Sequence, residues 1–236
     1  MMRYVVTGAN KGIGLAIVKG LLDADKKAFV FLGSRDVARG QEAVKSLLTE
    51  NPESYSGRVE ALQIDVSDDR SVSRAAETVR TRLASGEGEA PSTPAYLQAL
   101  INNAGMNNDG STPDGFESCV NVNFRGVVRT TEAFLALLEP SKGRVVSTSS
   151  AAGPTFVSKC SPERQALMTD PAITHQQITK LVDECRAIVA GGGNLDEKFA
   201  AVGLGGYEGR QGVYGLSKAL VNMYTLQMAR EHPCWS

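Results

Sequence analysis

The order of apolar and polar positions predicts strands that alternate with helices along the chain. Five short runs are nearly continuous in apolar and β-branched residues, which is typical of strands covered on both faces. The five runs are Tyr4–Thr7, Ala28–Gly33, Arg58–Val66, Leu97–Asn102 and Gly143–Thr148. Between them, apolar residues recur at intervals of three and four, as an amphipathic helix requires. This alternation predicts βαβ units and therefore an α/β protein with a parallel sheet.

Two stretches interrupt the alternation. Residues 84–95, ASGEGEAPSTPA, predict a surface loop because they are rich in glycine, proline and serine. Residues 154–213 fit no βαβ unit and contain one helical pattern around 173–190, so we interpret them as one long insertion. Single helices are predicted from about Phe116 to Leu138 and from about Tyr214 to Arg230. We expect residues 1–236 to form a single domain.

Composition argues against several classes of partner. The chain has 236 residues and a formal net charge of −1, so no basic excess indicates nucleic acid or an anionic membrane. No apolar run approaches the ~20 residues of a membrane-spanning helix, and the N-terminus shows no signal-peptide pattern. Scattered cysteines and two distant histidines form no disulfide or metal-binding pattern. We therefore expect a cytoplasmic protein with reduced thiols and no metal site.

Three glycines separate the first predicted strand from the first helix. In TGANKGIG, Gly8, Gly12 and Gly14 come after the strand and before the helical pattern. A helix N-terminus offers unpaired backbone N–H groups to phosphate, and glycine lets the backbone approach it closely. In this context the spacing predicts a dinucleotide-binding turn, and hence a Rossmann-type doubly wound parallel sheet in three αβα layers. A plain glycine-rich turn is the alternative interpretation.

Six motifs resemble those of the short-chain dehydrogenase/reductase family and occur in its order. They are TGANKGIG at 7–14, IDV at 64–66, NNAG at 102–105, VNVNFRG at 120–126, SSAAG at 149–153 and YGLSK at 214–218. Within the family, the chain is most similar to the monomeric, NADPH-dependent carbonyl reductases, through SRDVARGQEAV, CSPE and the long insertion. The resemblance covers essentially the whole chain. It implies NADPH-dependent reduction of ketones, aldehydes and quinones to alcohols, with a small molecule as substrate.

The resemblance implies roles for four catalytic residues. Tyr214 would donate a proton to the carbonyl oxygen while the reduced nicotinamide delivers hydride to the carbonyl carbon. Ser150 would hydrogen-bond that oxygen, Lys218 would hold the nicotinamide ribose, and Asn123 would anchor a water of the proton relay. Because Tyr214 and Lys218 are four residues apart on one helix face, we expect the ammonium to lower the pKa of the phenol.

Three neighbouring residues compete for these roles. Ser149 competes with Ser150, because alternation along a strand turns only one of two adjacent side chains toward the site. The family's SSxAG pattern favours Ser150. Asn121 competes with Asn123, and the family's NFRG pattern favours Asn123. Tyr207 competes with Tyr214 but is followed four residues later by Gln211, where the family has a lysine.

The residues after the second strand indicate NADP(H). Sites that prefer NAD place an acid there, whereas this chain has Arg35, whose guanidinium suits the 2′-phosphate of NADP. Lys11 and Arg39 would add charge, and solvated surface bases are the alternative. Asp36 opens the next helix, so we expect it to cap this helix. The predicted cofactor-binding residues, with Asp65, Val66 and Asn103 on the adenosine side, are Gly8, Asn10, Lys11, Gly12, Ile13, Gly14, Arg35, Arg39, Asp65, Val66, Asn103, Tyr214 and Lys218.

The chain departs from the family in two places. The segment between Ser150 and Tyr214 is far longer than in most members, and the carbonyl reductases carry a similar insertion that blocks the helix pairing of tetrameric relatives. We therefore expect a monomer. The chain stops at AREHPCWS, where the family continues with further strands, so we expect a truncated chain that lacks the last C-terminal strands. The alternatives are a truncated, non-catalytic dinucleotide-binding or interaction protein and an alcohol or steroid dehydrogenase of the family.

Overall fold

The chain forms two compact units. The computed structural model describes residues 1–84, 95–205, 207 and 209–233. The first unit comprises residues 1–104 and 129–148, and the second comprises residues 105–128 and 149–233. The surface loop predicted at 84–95 lies outside the described residues except at its two ends. The single domain over residues 1–236 stays a prediction.

The first unit contains a five-stranded sheet. Its strands are β1 (Met2–Val6), β2 (Ala28–Ser34), β3 (Val59–Gln63), β4 (Leu97–Asn102) and β5 (Arg144–Ser147). They lie in the order β3-β2-β1-β4-β5, and every neighbouring pair is parallel. This topology confirms the predicted α/β class and the Rossmann-type parallel sheet.

Strand β3 ends earlier than the apolar run predicted. That run predicted a strand as far as Val66, but β3 ends three residues before it. The Ile64 N–H still donates to the Ser34 carbonyl at 2.9 Å, whereas the Asp65 N–H donates to Ser71 Oγ at 2.9 Å. The chain thus turns away from the sheet at Asp65. The other four predicted strands are confirmed, with ends that differ by at most two residues.

Four helices of the first unit connect its strands. They are α1 (Gly12–Ala24), α2 (Val37–Glu50), the short α3 (Pro52–Tyr55) and α4 (Asp69–Ala84). Right-handed crossovers place α1 and α2 on one face of the sheet, where both pack into one hydrophobic cluster with the strands. The return from β3 to β4 places α4 on the opposite face. Val5, Phe31 and Leu100 are outside that cluster and buried too, which explains the nearly continuous apolar runs.

The order of the strands reverses between β1 and β4. Along the chain β2 and β3 extend the sheet on one side of β1, and β4 and β5 extend it on the other. In open α/β sheets, ligands bind beyond the carboxyl ends of the strands at such a switch point. The glycine turn follows β1 and Asn103 follows β4, so both lie at this position.

The second unit is helical. Its helices are α5 (Pro113–Val120), α6 (Gly126–Phe134) as far as Val128, α7 (Ala152–Ser158), α8 (Pro162–Met168), α9 (His175–Ala190), α10 (Leu195–Ala201) and α11 (Gly209–Glu231). Their buried side chains form one hydrophobic core that includes Phe116, Phe156, Leu181 and Leu220. Across the described residues, no helix is both long enough and apolar enough to cross a membrane.

The helix predicted from about Phe116 to Leu138 is confirmed as one unbroken helical stretch, but its hydrogen-bond pattern changes along the chain. A π-helical turn, Asn121–Arg125, lies between α5 and α6, and a 3₁₀ turn, Leu135–Leu137, follows α6. A π-helical turn adds one residue to a helical ladder and is frequent at functional sites. Here the added turn contains Asn123.

The region predicted as an insertion, residues 154–213, contains helices α8, α9 and α10 after α7. Helix α9 confirms the predicted helical pattern and begins with a capping box, in which the side chains of Thr174 and Gln177 each accept a backbone N–H of the other. The Tyr207 ring stacks on Phe199 at 3.9 Å, and its hydroxyl donates to the Gly110 carbonyl at 2.7 Å. Tyr207 is therefore a packing residue. The last helix, α11, begins five residues before its predicted start at Tyr214.

Candidate functional site

The turn between β1 and α1 depends on its glycines. Gly8 and Gly12 have φ angles of +62° and +56°, which side chains rarely tolerate. A Cβ on Gly14 would lie 2.5 Å from the Gly8 carbonyl oxygen. Asn103 holds the turn from the end of β4, because its Nδ2 donates to the carbonyls of Thr7 at 3.0 Å and Gly8 at 3.2 Å. The loops after β1 and β4 are therefore cross-linked.

The N-terminus of α1 can receive an anion. Within the described part of the chain, its N-cap residue Lys11 makes no side-chain cap, and the first turn has no acidic residue. A Cβ on Gly12 would meet no described atom within 4 Å, so there is open space beside the helix start. Lys11 and Ile13 are exposed and Asn10 is half-buried. The first N–H groups of a helix lack partners within the helix, so a helix start beside open space suits the pyrophosphate of a dinucleotide.

Three charged residues follow β2. The predicted cap is confirmed, because Asp36 Oδ1 accepts the Arg39 N–H at 2.9 Å. Asp36 Oδ2 also lies 3.7 Å from Arg39 Nε. Arg35 is exposed and has no ion pair among the described residues. Arg35 therefore presents more unshared positive charge than Arg39 does.

Asp65 and Val66 lie in the turn from β3 to α4. Asp65 Oδ1 accepts hydrogen bonds from Ser67 N at 2.9 Å and from Ser67 Oγ at 2.6 Å. The Val66 side chain is buried, and its carbonyl accepts a hydrogen bond from Arg129. These bonds hold both residues in one fixed turn beyond the end of β3.

Asn123 cross-links the second unit from the π-helical turn. Its side chain is fully buried, with Oδ1 accepting the Met106 N–H at 2.7 Å. Its Nδ2 donates to the Met106 carbonyl at 2.8 Å and to Ser217 Oγ at 2.9 Å. Asn123 thus ties the segment that follows residue 105 to α11, which carries Ser217. The competing Asn121 begins the same turn.

The two adjacent serines lie beyond the end of β5, so the expected strand alternation does not separate them. The expectation of strand alternation was therefore wrong, and the two serines differ in their hydrogen-bond partners instead. Ser149 Oγ donates to Asn222 Oδ1 on α11 at 2.6 Å. Ser150 Oγ accepts the Ala152 N–H at 3.2 Å, and the Ser150 carbonyl accepts the Gly153 N–H at 3.1 Å. Ser150 therefore lies in the tight turn that leads into α7.

This serine turn, residues 150–153, packs directly on α11. A Cβ on Gly153 would lie 3.0 Å from the carbonyl carbon of Lys218, and a Cβ on Gly215 would lie 3.0 Å from the Ala152 carbonyl oxygen. A side chain at either position would force the neighbouring backbone to shift by a few tenths of an ångström. The turn is therefore held against the stretch of α11 that begins at Tyr214.

Tyr214 and Lys218 occupy one face of α11. Lys218 Nζ lies 5.8 Å from the centre of the Tyr214 ring. Lys218 is only 5% exposed, and burial lowers the pKa of its ammonium below the ordinary value. Tyr214 is half-buried. The pair brings an ammonium beside a phenol, the two groups that the predicted proton transfer requires.

The predicted site residues divide between the units. Asn123, Ser150, Tyr214 and Lys218 all belong to the second unit, and the other predicted cofactor-binding residues belong to the first. Within the second unit, α11 connects the four catalytic candidates through the bonds and contacts described above. In the described ranges, no group of three or more His, Cys, Asp or Glu side chains could hold a metal ion.

Sequence reasoning missed three residues that position the others. Thr7 Oγ1 accepts the N–H groups of Asn103 and Ala104, each at 3.0 Å. Ser217 accepts from Asn123, and Asn222 accepts from Ser149. Thr7 lies in the motif TGANKGIG and Ser217 in the motif YGLSK, so their place in a motif could have pointed to a role for both residues. Asn222 lies outside every motif, and only its helical spacing from Lys218 points to it.

Comparison with known proteins identifies the family and the fold of the chain. The short chain dehydrogenase family profile matches residues 3–162. Carbonyl reductase [NADPH] 1 of Sus scrofa is 34% identical over 184 residues, which cover 76% of this chain and 57% of that protein. Short-chain dehydrogenase/reductase 1 of Saponaria officinalis is 31% identical over 259 residues, covering 98% of this chain and 78% of that protein. The solved structure of menthone neomenthol reductase from Mentha piperita shares the fold, with a TM-score of 0.79 at 24% identity over 98% of this chain and 86% of that one.

Proposed function

The chain belongs to the short-chain dehydrogenase family of nicotinamide-dependent oxidoreductases, and from this premise we propose that it reduces carbonyl compounds to alcohols with NADPH. Ketones, aldehydes and quinones are the proposed substrates. The similarity to a protein named carbonyl reductase [NADPH] supports this choice. The observation that carries it is the packing of the serine turn on the part of α11 that bears Tyr214 and Lys218.

Residues of the first unit would hold the dinucleotide. The N–H groups at the start of α1, between Lys11 and Gly14, would bind the pyrophosphate. Arg35 would bind the 2′-phosphate of NADPH with its planar guanidinium, helped by Arg39. Residues after β3 and β4 would line the adenosine side; these are Asp65, Val66 and Asn103. The bound, reduced nicotinamide would supply the hydride.

Residues of the second unit would control the proton and the carbonyl oxygen. Tyr214 would hold the proton that passes to this oxygen. Ser150 would donate a hydrogen bond to the same oxygen, where negative charge develops as hydride arrives. Lys218 would keep a positive charge beside the phenol and contact the nicotinamide ribose. Asn123 would anchor a water of the proton relay, besides holding the segment after residue 105.

The phenol of Tyr214 provides the direct test. We expect Tyr214→Phe to lower the rate of NADPH oxidation with a quinone or an aromatic aldehyde by about 10²- to 10⁴-fold, the usual contribution of a general acid. NADPH affinity, measured by fluorescence titration, should stay within about threefold of wild type, because the ring itself is retained.

A matched control removes a hydroxyl elsewhere. Tyr96→Phe changes a partly buried tyrosine just before β4 and should leave both rate and affinity unchanged. Full activity of Tyr214→Phe would contradict the mechanism. NADPH binding without turnover of any carbonyl compound by the wild type would favour the non-catalytic alternative, and turnover of alcohols or steroids alone would favour the other dehydrogenases.

We propose a cytoplasmic monomer that acts on a small molecule and binds neither nucleic acid nor membrane. Helices α8 to α10 lie between the serine turn and α11 in the chain, where the sequence predicted an insertion that prevents helix pairing. Sedimentation velocity should show one species with the mass of a single chain, and a stable tetramer would contradict the proposal.

A further inference from the structure

The serine turn is attached to α11 at both of its ends. Before the turn, the Ser149 hydroxyl donates to Asn222 Oδ1 at 2.6 Å. At the last residue of the turn, Gly153 approaches α11 so closely that a Cβ would lie 3.1 Å from Asn222 Nδ2. The Asn222 amide therefore bonds to the residue before Ser150 and lies close to the end of the turn after it.

Asn222 continues the face of α11 that bears the catalytic candidates. Tyr214, Lys218 and Asn222 follow one another at intervals of four residues, so their side chains lie in one row along the helix. The bond from Asn222 to Ser149 thus sets where the serine turn lies along this row. A shift of the turn would move the Ser150 hydroxyl relative to Tyr214.

The hydrogen bonds also indicate different roles for Ser149 and Ser150. A hydroxyl has one proton and two acceptor lone pairs. Ser149 commits its proton to Asn222. Ser150 accepts the Ala152 N–H and, among the described residues, donates to no partner, so its proton is available for an oxygen of a bound molecule. Ser149 therefore suits an anchoring role and Ser150 a substrate-binding role.

We propose that Ser149 and Asn222 form a positioning pair that holds the Ser150 hydroxyl in register with Tyr214, a role that rests on the proposed carbonyl reduction. The pair acts through Ser150 and does not contact the substrate. The pair therefore affects the chemical step, in which the Ser150 hydroxyl binds the oxygen that becomes negatively charged. A misplacement of about 1 Å in a catalytic group can lower the rate of this step by about 10²-fold.

Matched variants test the pair. Ser149→Val removes the donor and Asn222→Leu removes the acceptor, whereas Ser149→Thr has the branched shape of valine and keeps the donor. We expect each of the first two to lower kcat about 10- to 100-fold, with KM for the carbonyl substrate and Kd for NADPH within about threefold. Ser149→Thr should restore most of kcat. The double variant should be no slower than the slower single variant, because both changes break one bond.

Thr225→Val is the control, since it removes an exposed hydroxyl from the same helix and should leave kcat unchanged. If Ser149→Val or Asn222→Leu does not bind NADPH, Ser149→Ala and Asn222→Ala carry the same expectations. Unchanged kcat, a KM effect alone, no recovery with threonine or additive losses in the double variant would each overturn the positioning role. An inactive wild type would instead overturn the proposed function, and the positioning role with it.

Discussion

Asp36 limits how much positive charge the chain presents after β2. Its carboxylate caps α2 through the Arg39 N–H and also lies near the Arg39 guanidinium. Part of the Arg39 charge is therefore balanced within the helix, at exposed positions where such a pair contributes little to stability. Arg35 forms no such ion pair with any described residue. A preference for the 2′-phosphate should therefore depend mainly on Arg35.

Reversal of the Arg35 charge should separate the two nicotinamide cofactors. We expect Arg35→Asp to weaken NADPH binding about 10- to 100-fold, the range of a lost charge-assisted hydrogen bond with added repulsion. NADH binding should change less than about threefold, because NADH lacks the 2′-phosphate. Fluorescence titration with both cofactors measures the effect. Lys45→Asp makes the same change in charge farther along α2 and is the control; equal losses for both cofactors would refute the assignment.

The connection from β1 to α1 shows that the glycines of one element have different physical roles. Gly8 and Gly12 are needed for positive φ angles, whereas Gly14 is needed because backbone atoms lie too close for a Cβ. Gly20, inside α1, has neither constraint: a Cβ there would meet no described atom within 4 Å. Helix α1 as a whole is held by Val18 and Leu22, which are fully buried against the sheet.

Alanine substitutions along α1 should therefore have opposite effects on stability. We expect Gly14→Ala to lower the free energy of unfolding by about 1–3 kcal/mol, because the new methyl group overlaps Gly8 and Ala9. Gly20→Ala should raise it by about 0.5–1 kcal/mol, since alanine favours the helix more than glycine does. Urea denaturation of the two variants beside wild type measures both. If Gly20→Ala lowered the free energy of unfolding, the open space beside Gly20 would be contradicted.

The pH dependence of unfolding belongs to the whole molecule, because it sums proton binding over all groups. Lys218 contributes with a definite sign. Burial lowers the pKa of its ammonium in the folded chain, whereas an unfolded chain has the ordinary lysine pKa of about 10.4. Between these two values the unfolded chain binds more protons, so the contribution of Lys218 to the free energy of unfolding rises with pH.

A comparison with Lys218→Met isolates this contribution. The free energy of unfolding of wild type minus that of the variant should increase from neutral pH to about pH 10, with a slope of at most about 1.4 kcal/mol per pH unit. Groups other than Lys218 titrate in both proteins and largely cancel in the difference. Urea denaturation across this pH range gives the slope. A difference that stays flat or falls with rising pH would show that burial does not penalise the ammonium.

The sequence by itself determined the strands of the first unit and the position of its glycine turn. Apolar period and strand length are local properties, so four strands were predicted with ends that differ by at most two residues. The Asp36 cap was predictable because a cap involves residues only three apart. The family was recognisable for the same reason, since each motif occupies a few consecutive residues.

Only the tertiary structure decided how the catalytic candidates are held. The Asn123 amide bonds to Ser217, 94 residues away, and Ser149 bonds to Asn222, 73 residues away. The π-helical turn that contains Asn123 and the end of β3 at Gln63, after which the Asp65 N–H bonds to Ser71, were also not predicted by the apolar pattern. Local periodicity specifies which backbone forms, but a hydroxyl or an amide has many equivalent partners until packing brings one within about 3 Å.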